Sequence, residues 1–319
     1  VLKVNRINCS KSTNNDMIQV LRKTYIPLLS LFIFAMGSGF FITLISYAMN
    51  FRHELPIVIG VMNGMYYIGL VCGSFRIEPF IFRVGHIRAF AAFASTLAVV
   101  SLMHGIIYNI SLWCGLRFIG GFCTAGIFVV IESWLLCNST KQTRGRILSF
   151  YMLTFYISEA LGQLLLNLGS PDELLLYAIT AMFCSLSVIP LAMTKTPMPK
   201  FDEPSNMLLR DLYKKTKSGF FGCFLAGMLS SVMYTLLPIL FADLHKDTSK
   251  VSYLMFFLIF GGIVLQYPVG RLSDIIERRL VLIVVCLLIT AFCVALIFYI
   301  DQYLLSIVLI TVFGGLSTT

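Results

Sequence analysis

Ten apolar stretches of about 17–27 residues follow one another through this chain of 319 residues. Each is long enough to cross a bilayer core of about 30 Å as a helix. Backbone N–H and C=O groups find no water in hydrocarbon, so each stretch must bond its own backbone, which selects helices. The expected spans are 25–49, 57–75, 89–108, 111–137, 147–168, 174–193, 218–241, 251–269, 280–300 and 303–319. Composition agrees. Charged residues are 12% and apolar residues 58% of the chain, against about 25% charged in a soluble domain. The expected class is an all-α, multi-pass membrane protein with no sizeable water-soluble domain.

Ionic residues inside such spans constrain the assembly further. Arg117, Gly121, Thr124, Phe128 and Glu132 fall on one stripe of the fourth span, and Tyr156, Glu159 and Gln163 on one stripe of the fifth,. A charged side chain at the centre of a spanning helix costs about 2.5–3.5 kcal/mol on insertion scales. These groups must therefore face a protein interior or a wet cavity, enclosed by several other helices. Arg117 keeps its charge and can attract an anion or a carboxylate. Glu159 lies near mid-membrane, where it is the candidate for proton uptake and release. Thr43, Ser46, Asn50, Tyr234, Gln163 and Gln266 are further candidates to line the same cavity. Glu132 is expected to pair with Arg83 or Arg88 in the neighbouring loop. Trp113 and Trp134 sit near opposite ends of one span, as interfacial belt residues do.

The net charge of +9 is a matter of placement. With the N-terminus inside, alternate loops put 20 of 24 Lys and Arg on the cytoplasmic side, while acidic residues divide seven inside and six outside. That asymmetry sets orientation in membranes and points to anionic lipid, not nucleic acid. The nine cysteines form no CxxC pair and the four histidines show no ligand spacing, so neither a metal nor another cofactor is expected. The chain has no GxxxxGK[ST] loop for an ATP motor. No nucleophile–base pairing marks an enzyme among the intramembrane residues.

The chain divides into a cytoplasmic tail 1–24, a six-helix bundle 25–194, a polar linker 195–217 with three prolines, and a four-helix part 218–319. The segments starting at Glu78 and Gly270, 192 residues apart, echo each other as turns between helices. A duplicated helical half is a recurrent build for secondary transporters. A first residue that is not Met and a last span without a polar flank lead us to expect about two further helices in a complete second half.

Particular motifs carry a family resemblance from about Tyr25 onward. Gly270-Arg-Leu-Ser-Asp274-Ile-Ile-Glu-Arg278-Arg279 is similar to the G-x-L-x-D-x-x-G-R-[RK] loop of the major facilitator superfamily. Arg117-Phe-Ile-Gly-Gly121 is similar to that family's fourth-helix R-x-x-x-G motif. Glu132-Ser-Trp-Leu135, Arg144-Gly-Arg146, Tyr151-Met152 and Gln266-Tyr-Pro-Val-Gly270 resemble its uncharacterised YcaD-like branch. The sequence departs from the pattern at Glu78, Phe82 and Glu277, and Gly162-Gln163 stands where drug exporters of the family carry Gly-Pro.

The resemblance implies a major facilitator fold with about ten of twelve helices and two pseudo-symmetric bundles. It implies a cytoplasmic latch in which Asp274, with Arg271, Arg278 and Arg279, meets the start of the fifth helix at Arg144 and Arg146, close to Arg83, Arg88 and Glu132. The implied function is secondary transport of a small solute across a bacterial inner membrane by a monomer, driven by a proton gradient. The alternative is a shortened remnant that inserts but does not transport.

Overall fold

A computed structural model of the chain describes residues 2–137, 139, 143–194, 216–245, 247–300 and 302–318; for residues 2–23 and for Ser218, Asp274 and Arg278 it describes the backbone alone. Linker residues 195–215, Lys141, and the side chains of Asp274 and Arg278 in the expected latch therefore lie outside the description. Among the described residues all regular structure is helical: α1 (Leu2–Phe51), α2 (Pro56–Val84), α3 (His86–Ile106), α4 (Ile110–Cys137), α5 (Arg144–Gln163), α6 (Leu174–Leu186), α7 (Val188–Ala192), α8 (Lys217–His245), α9 (Thr248–Ile275), α10 (Arg278–Tyr299) and α11 (Tyr303–Ser317). A 3₁₀ turn, Leu164–Leu168, continues α5.

Among the described residues, eight segments are long and apolar enough to cross a membrane. The other two expected spans differ for separate reasons. The last apolar helix, α11, has 15 residues. The 20 residues of α5 include Arg144, Arg146, Thr154, Ser158, Glu159 and Gln163. Such a helix holds its place by packing inside protein, and α5 lies against α1 and α9. The segments expected as turns are also more helical than their sequence suggests. In the first, α2 runs to Val84 and α3 starts at His86, with the reversal confined to Gly85 at φ 85°. That angle lies in the left-handed region where glycine avoids the Cβ clash. In the second, α9 continues through Asp274 and ends at Ile275. At the other terminus, α1 begins at Leu2, so the polar tail continues the first span as helix.

The first bundle comprises α1–α7 and the second α8–α11. Its tightest pairing, α2 with α4, works because glycines let two backbones meet. A Cβ on Gly121 would strike the Tyr66 carbonyl, and one on Gly69 would strike the Phe118 carbonyl. The second bundle repeats this contact 192–193 residues later: Gly314 lies on the Leu258 carbonyl and Gly261 on the Thr311 carbonyl, between α11 and α9. A helix crossing is thus repeated at the same spacing as the two echoing turn segments.

Apolar residues gather in three clusters. Two fill opposite ends of the first bundle, around Phe90, Ile131 and Trp134 and around Phe40, Ile45 and Trp113. The third fills the second bundle around Leu254 and Ile310. Ile239 of α8 enters the cluster around Trp113, and Tyr47 of α1 enters that of the second bundle. The two bundles are therefore joined near the end of α1 that carries Asn50. Both tryptophans are buried in protein, at 0% and 1% exposure, which corrects the expected interfacial belt. The Trp113 indole donates to the Ile107 carbonyl at 2.7 Å and its ring tilts on His104, so it plugs the bundle end.

Candidate functional site

The ionic side chains predicted to be sheltered are sheltered. Arg117 is 1% exposed and Glu159 is 4% exposed. They do not pair with each other; among the described residues the one ion pair is Arg52–Asp172, 2.7 Å. Instead α2 supplies a partner for Arg117. Its guanidinium donates from Nη2 to Asn63 Oδ1 and lies 4.8 Å from the centre of the Tyr66 ring. Asn63 in turn donates to Ser46 Oγ of α1 at 2.9 Å. One guanidinium therefore ties α4 to α2 and, through Asn63, to α1. Asn63 was not singled out in the sequence. The available signal was a lone Asn in an apolar helix, one turn before the Tyr66-Tyr67 pair.

Glu159 occupies a different environment. Its Cγ would lie 2.6 Å from a Cβ on Gly39, close to the middle of the Thr24–Phe51 span, so α1 and α5 cross closely here. Tyr234 of α8 donates to Glu159 Oε2 at 3.3 Å. Tyr66, Tyr67 and Tyr156 are its other electrostatic neighbours. The carboxylate is thus enclosed by phenols, touches no cation among the described residues, and bonds across the boundary between the bundles.

Among the described residues, three more hydrogen bonds cross that boundary at one end. Asn50 donates to Asp243 Oδ1 at 2.8 Å. The hydroxyls of Tyr47 and Thr248 are 2.9 Å apart. Ser252 donates to the Gln163 carbonyl at 2.8 Å. Asn50 and Gln163, expected in the cavity, are placed in or beside this clasp. The Gln163 amide side chain and the Thr43 hydroxyl are buried without hydrogen-bond partners.

Towards the opposite end the described residues leave a cavity between the bundles. A cavity of about 540 Å³ lies between α5 and α9, lined by Ser149, Leu153, Gln266, Tyr267, Gly270 and Arg271 among others. Gln266 thus lines a cavity, though one nearer the Arg271 end than Glu159. Arg83, Arg88, Arg144, Arg146, Arg271 and Arg279 are exposed on this side. Glu132 accepts from Tyr151 Oη at 2.8 Å, which replaces the expected pairing with Arg83 or Arg88. The physical reason is reach: Tyr151 is buried on the facing helix α5, while both arginines point to the surface.

Three comparisons bear on this architecture. The sequence profile of the Major Facilitator Superfamily matches residues 28–319. The uncharacterized MFS-type transporter YcaD of Escherichia fergusonii is 30% identical over 227 residues, 70% of this chain and 59% of the relative, so the chain spans about six-tenths of that curated relative's length. Among solved structures, the nucleoside transporter NupG superposes with a TM-score of 0.71 at 15% identity, covering 93% of this chain and 79% of NupG. A D-xylose–proton symporter superposes with a TM-score of 0.64 at 12% identity, covering 93% of this chain and 79% of the symporter. A profile match over most of the chain, on a fold of two bundles with a repeated crossing, is decisive: the chain belongs to the Major Facilitator Superfamily.

Proposed function

We propose that this chain carries the translocation path of a secondary transporter that moves a small solute across the bacterial plasma membrane, as a monomer, by alternating access. The observation that carries the reading is the Glu159–Tyr234 bond, a buried carboxylate held across the bundle boundary by a neutral donor. A carboxylate without a cationic partner in a low-dielectric site is costly to keep charged. Taking up a proton removes that cost and alters the bond to the other bundle. Proton binding and the relative position of the bundles are thereby linked at one atom. The distribution of Lys and Arg supports a cytoplasmic N-terminus, which makes the Arg271 end cytoplasmic. The described conformation then opens to the cytoplasm and is closed by the Asn50 clasp outside. The exposed Arg144, Arg146 and Arg271 belong to the expected latch at this end.

The test is uptake from a mixed pool of small metabolites into proteoliposomes, read by mass spectrometry with and without an imposed pH gradient. Accumulation of at least one solute should require the gradient, and Glu159→Gln should abolish it while leaving downhill equilibration. Gradient-independent accumulation, or an unaltered Glu159→Gln variant, would refute proton coupling at this residue. The rival reading, a chain that inserts but does not cycle, predicts no solute entry under either condition.

A further inference from the structure

Two cavities adjoin along the end of α9 that carries Arg271. The first, of about 540 Å³, lies between α5 and α9, and the second, of about 370 Å³, lies between α9 and α10. Both volumes fall within the range of about 300–1,000 Å³ usual for small-molecule sites. Gln266 and Gly270 line both cavities. A Cβ on Gly270 would meet nothing within 4 Å, so the helix is bare where the two spaces adjoin. Arg271 is close to the end of the Thr248–Ser273 span, at the depth of lipid headgroups.

The two cavities differ in chemistry. Arg271, Gln266 and Tyr267 bring a cation and neutral hydrogen-bonding groups to the first. On its α5 wall the Ser149 hydroxyl already donates to the Gly145 carbonyl at 3.0 Å. Val269, Val281, Leu282 and Val285 give the second a mainly apolar wall. Among the described residues that line either cavity, Arg271 is the one charged group. Its neighbours in charge are Arg146, one turn before Ser149 on α5, and Asp274, one turn beyond it on α9, whose side chain lies outside the description. Tyr267 and Leu282 are 73% and 64% exposed, apolar surface that a bilayer covers with hydrocarbon. A small polar anion would leave the second cavity empty, and a neutral hydrocarbon would leave Arg271 unused.

We propose that the adjoining cavities bind one anionic phospholipid. Its phosphate accepts from the Arg271 guanidinium, whose paired donors match phosphate oxygens. Gln266 and Tyr267 add neutral donors, and an acyl chain passes over Gly270 onto Val281 and Val285. Basic pockets between membrane helices hold anionic headgroups in this way. Because the headgroup lies between α5 and α9, the lipid favours the conformation in which those helices are apart.

The experiment measures the thermal unfolding midpoint of the purified full chain in neutral detergent with added phosphatidylglycerol, phosphatidylcholine or inorganic phosphate. Saturating phosphatidylglycerol should raise the midpoint by roughly 2–4 °C, and the other two should not. Arg271→Gln should weaken the response to phosphatidylglycerol at least about tenfold. Gly270→Leu should abolish it by filling the space over the helix. Both positions are exposed, so neither change disturbs the packed core. Equal shifts with phosphatidylcholine would mean that charge is not recognised, and equal shifts with inorganic phosphate that the acyl chain plays no part. Either result overturns the proposal, as does the absence of any shift. A response to phosphatidylglycerol that survives both substitutions would place the lipid elsewhere on the basic surface and overturns it too. The readout involves no solute flux, so its failure leaves the transport reading standing.

Discussion

Asn63 shows how one neutral side chain can decide the fate of a buried charge. It accepts from Arg117 and donates to Ser46, so its removal strands a guanidinium that is 1% exposed. Hydrogen bonds to charged groups contribute about 1.5–3 kcal/mol each, more than neutral ones. Asn63→Ala is therefore expected to lower stability by about 2–3 kcal/mol, read as the unfolding midpoint in detergent. An unchanged midpoint would show that Arg117 has another partner. The Arg117 and Glu159 positions were legible in sequence because an ion in an apolar span advertises itself. Asn63 was not, since an amide in a membrane helix is common and its partner stands 54 residues away. Glu132 was misassigned for a related reason. Proximity along the chain suggested surface arginines, whereas the crossing of α4 and α5 delivered Tyr151.

Among the helices, closeness of approach is what distinguishes neighbouring glycines. Gly120 and Gly121 are adjacent in sequence and face different surroundings. A Cβ on Gly120 finds side chains at contact distance, while one on Gly121 collides with the backbone of α2. Backbone cannot rotate away as a side chain can, so the helices must separate. Gly121→Ala is expected to destabilise the chain by about 1–3 kcal/mol, and Gly120→Ala to be tolerated. Equal midpoints for the two variants would contradict the close α2–α4 crossing. The same close contact with backbone recurs at Gly261 and Gly314, which makes the crossing a property of the duplicated unit.

For the whole molecule, the two ends of the boundary between the bundles differ. The clasp of Asn50–Asp243, Tyr47–Thr248 and Ser252–Gln163 closes one end, and a cavity separates α5 from α9 at the other. Removing the Asn50 and Ser252 side-chain donors should shift the population towards opening at the clasp. A cysteine introduced in place of the buried Thr43 would report this. Its labelling by a membrane-impermeant maleimide from the Asn50 side is expected to rise about fivefold per bond removed, the factor for about 1 kcal/mol. A rate unchanged in Asn50→Ala/Ser252→Ala would mean that the clasp bonds do not hold the closed end.

Hydrophobic runs determine helices because a backbone in lipid has no other way to satisfy itself, and buried ions determine that those helices form a bundle. Those conclusions need only the order of residues. Which helix meets which side chain depends on crossing geometry at van der Waals contact. That is why the phenol enclosure of Glu159, the burial of both tryptophans, the bonds spanning 89–201 residues at the clasp and the adjoining cavities along α9 emerged only in three dimensions.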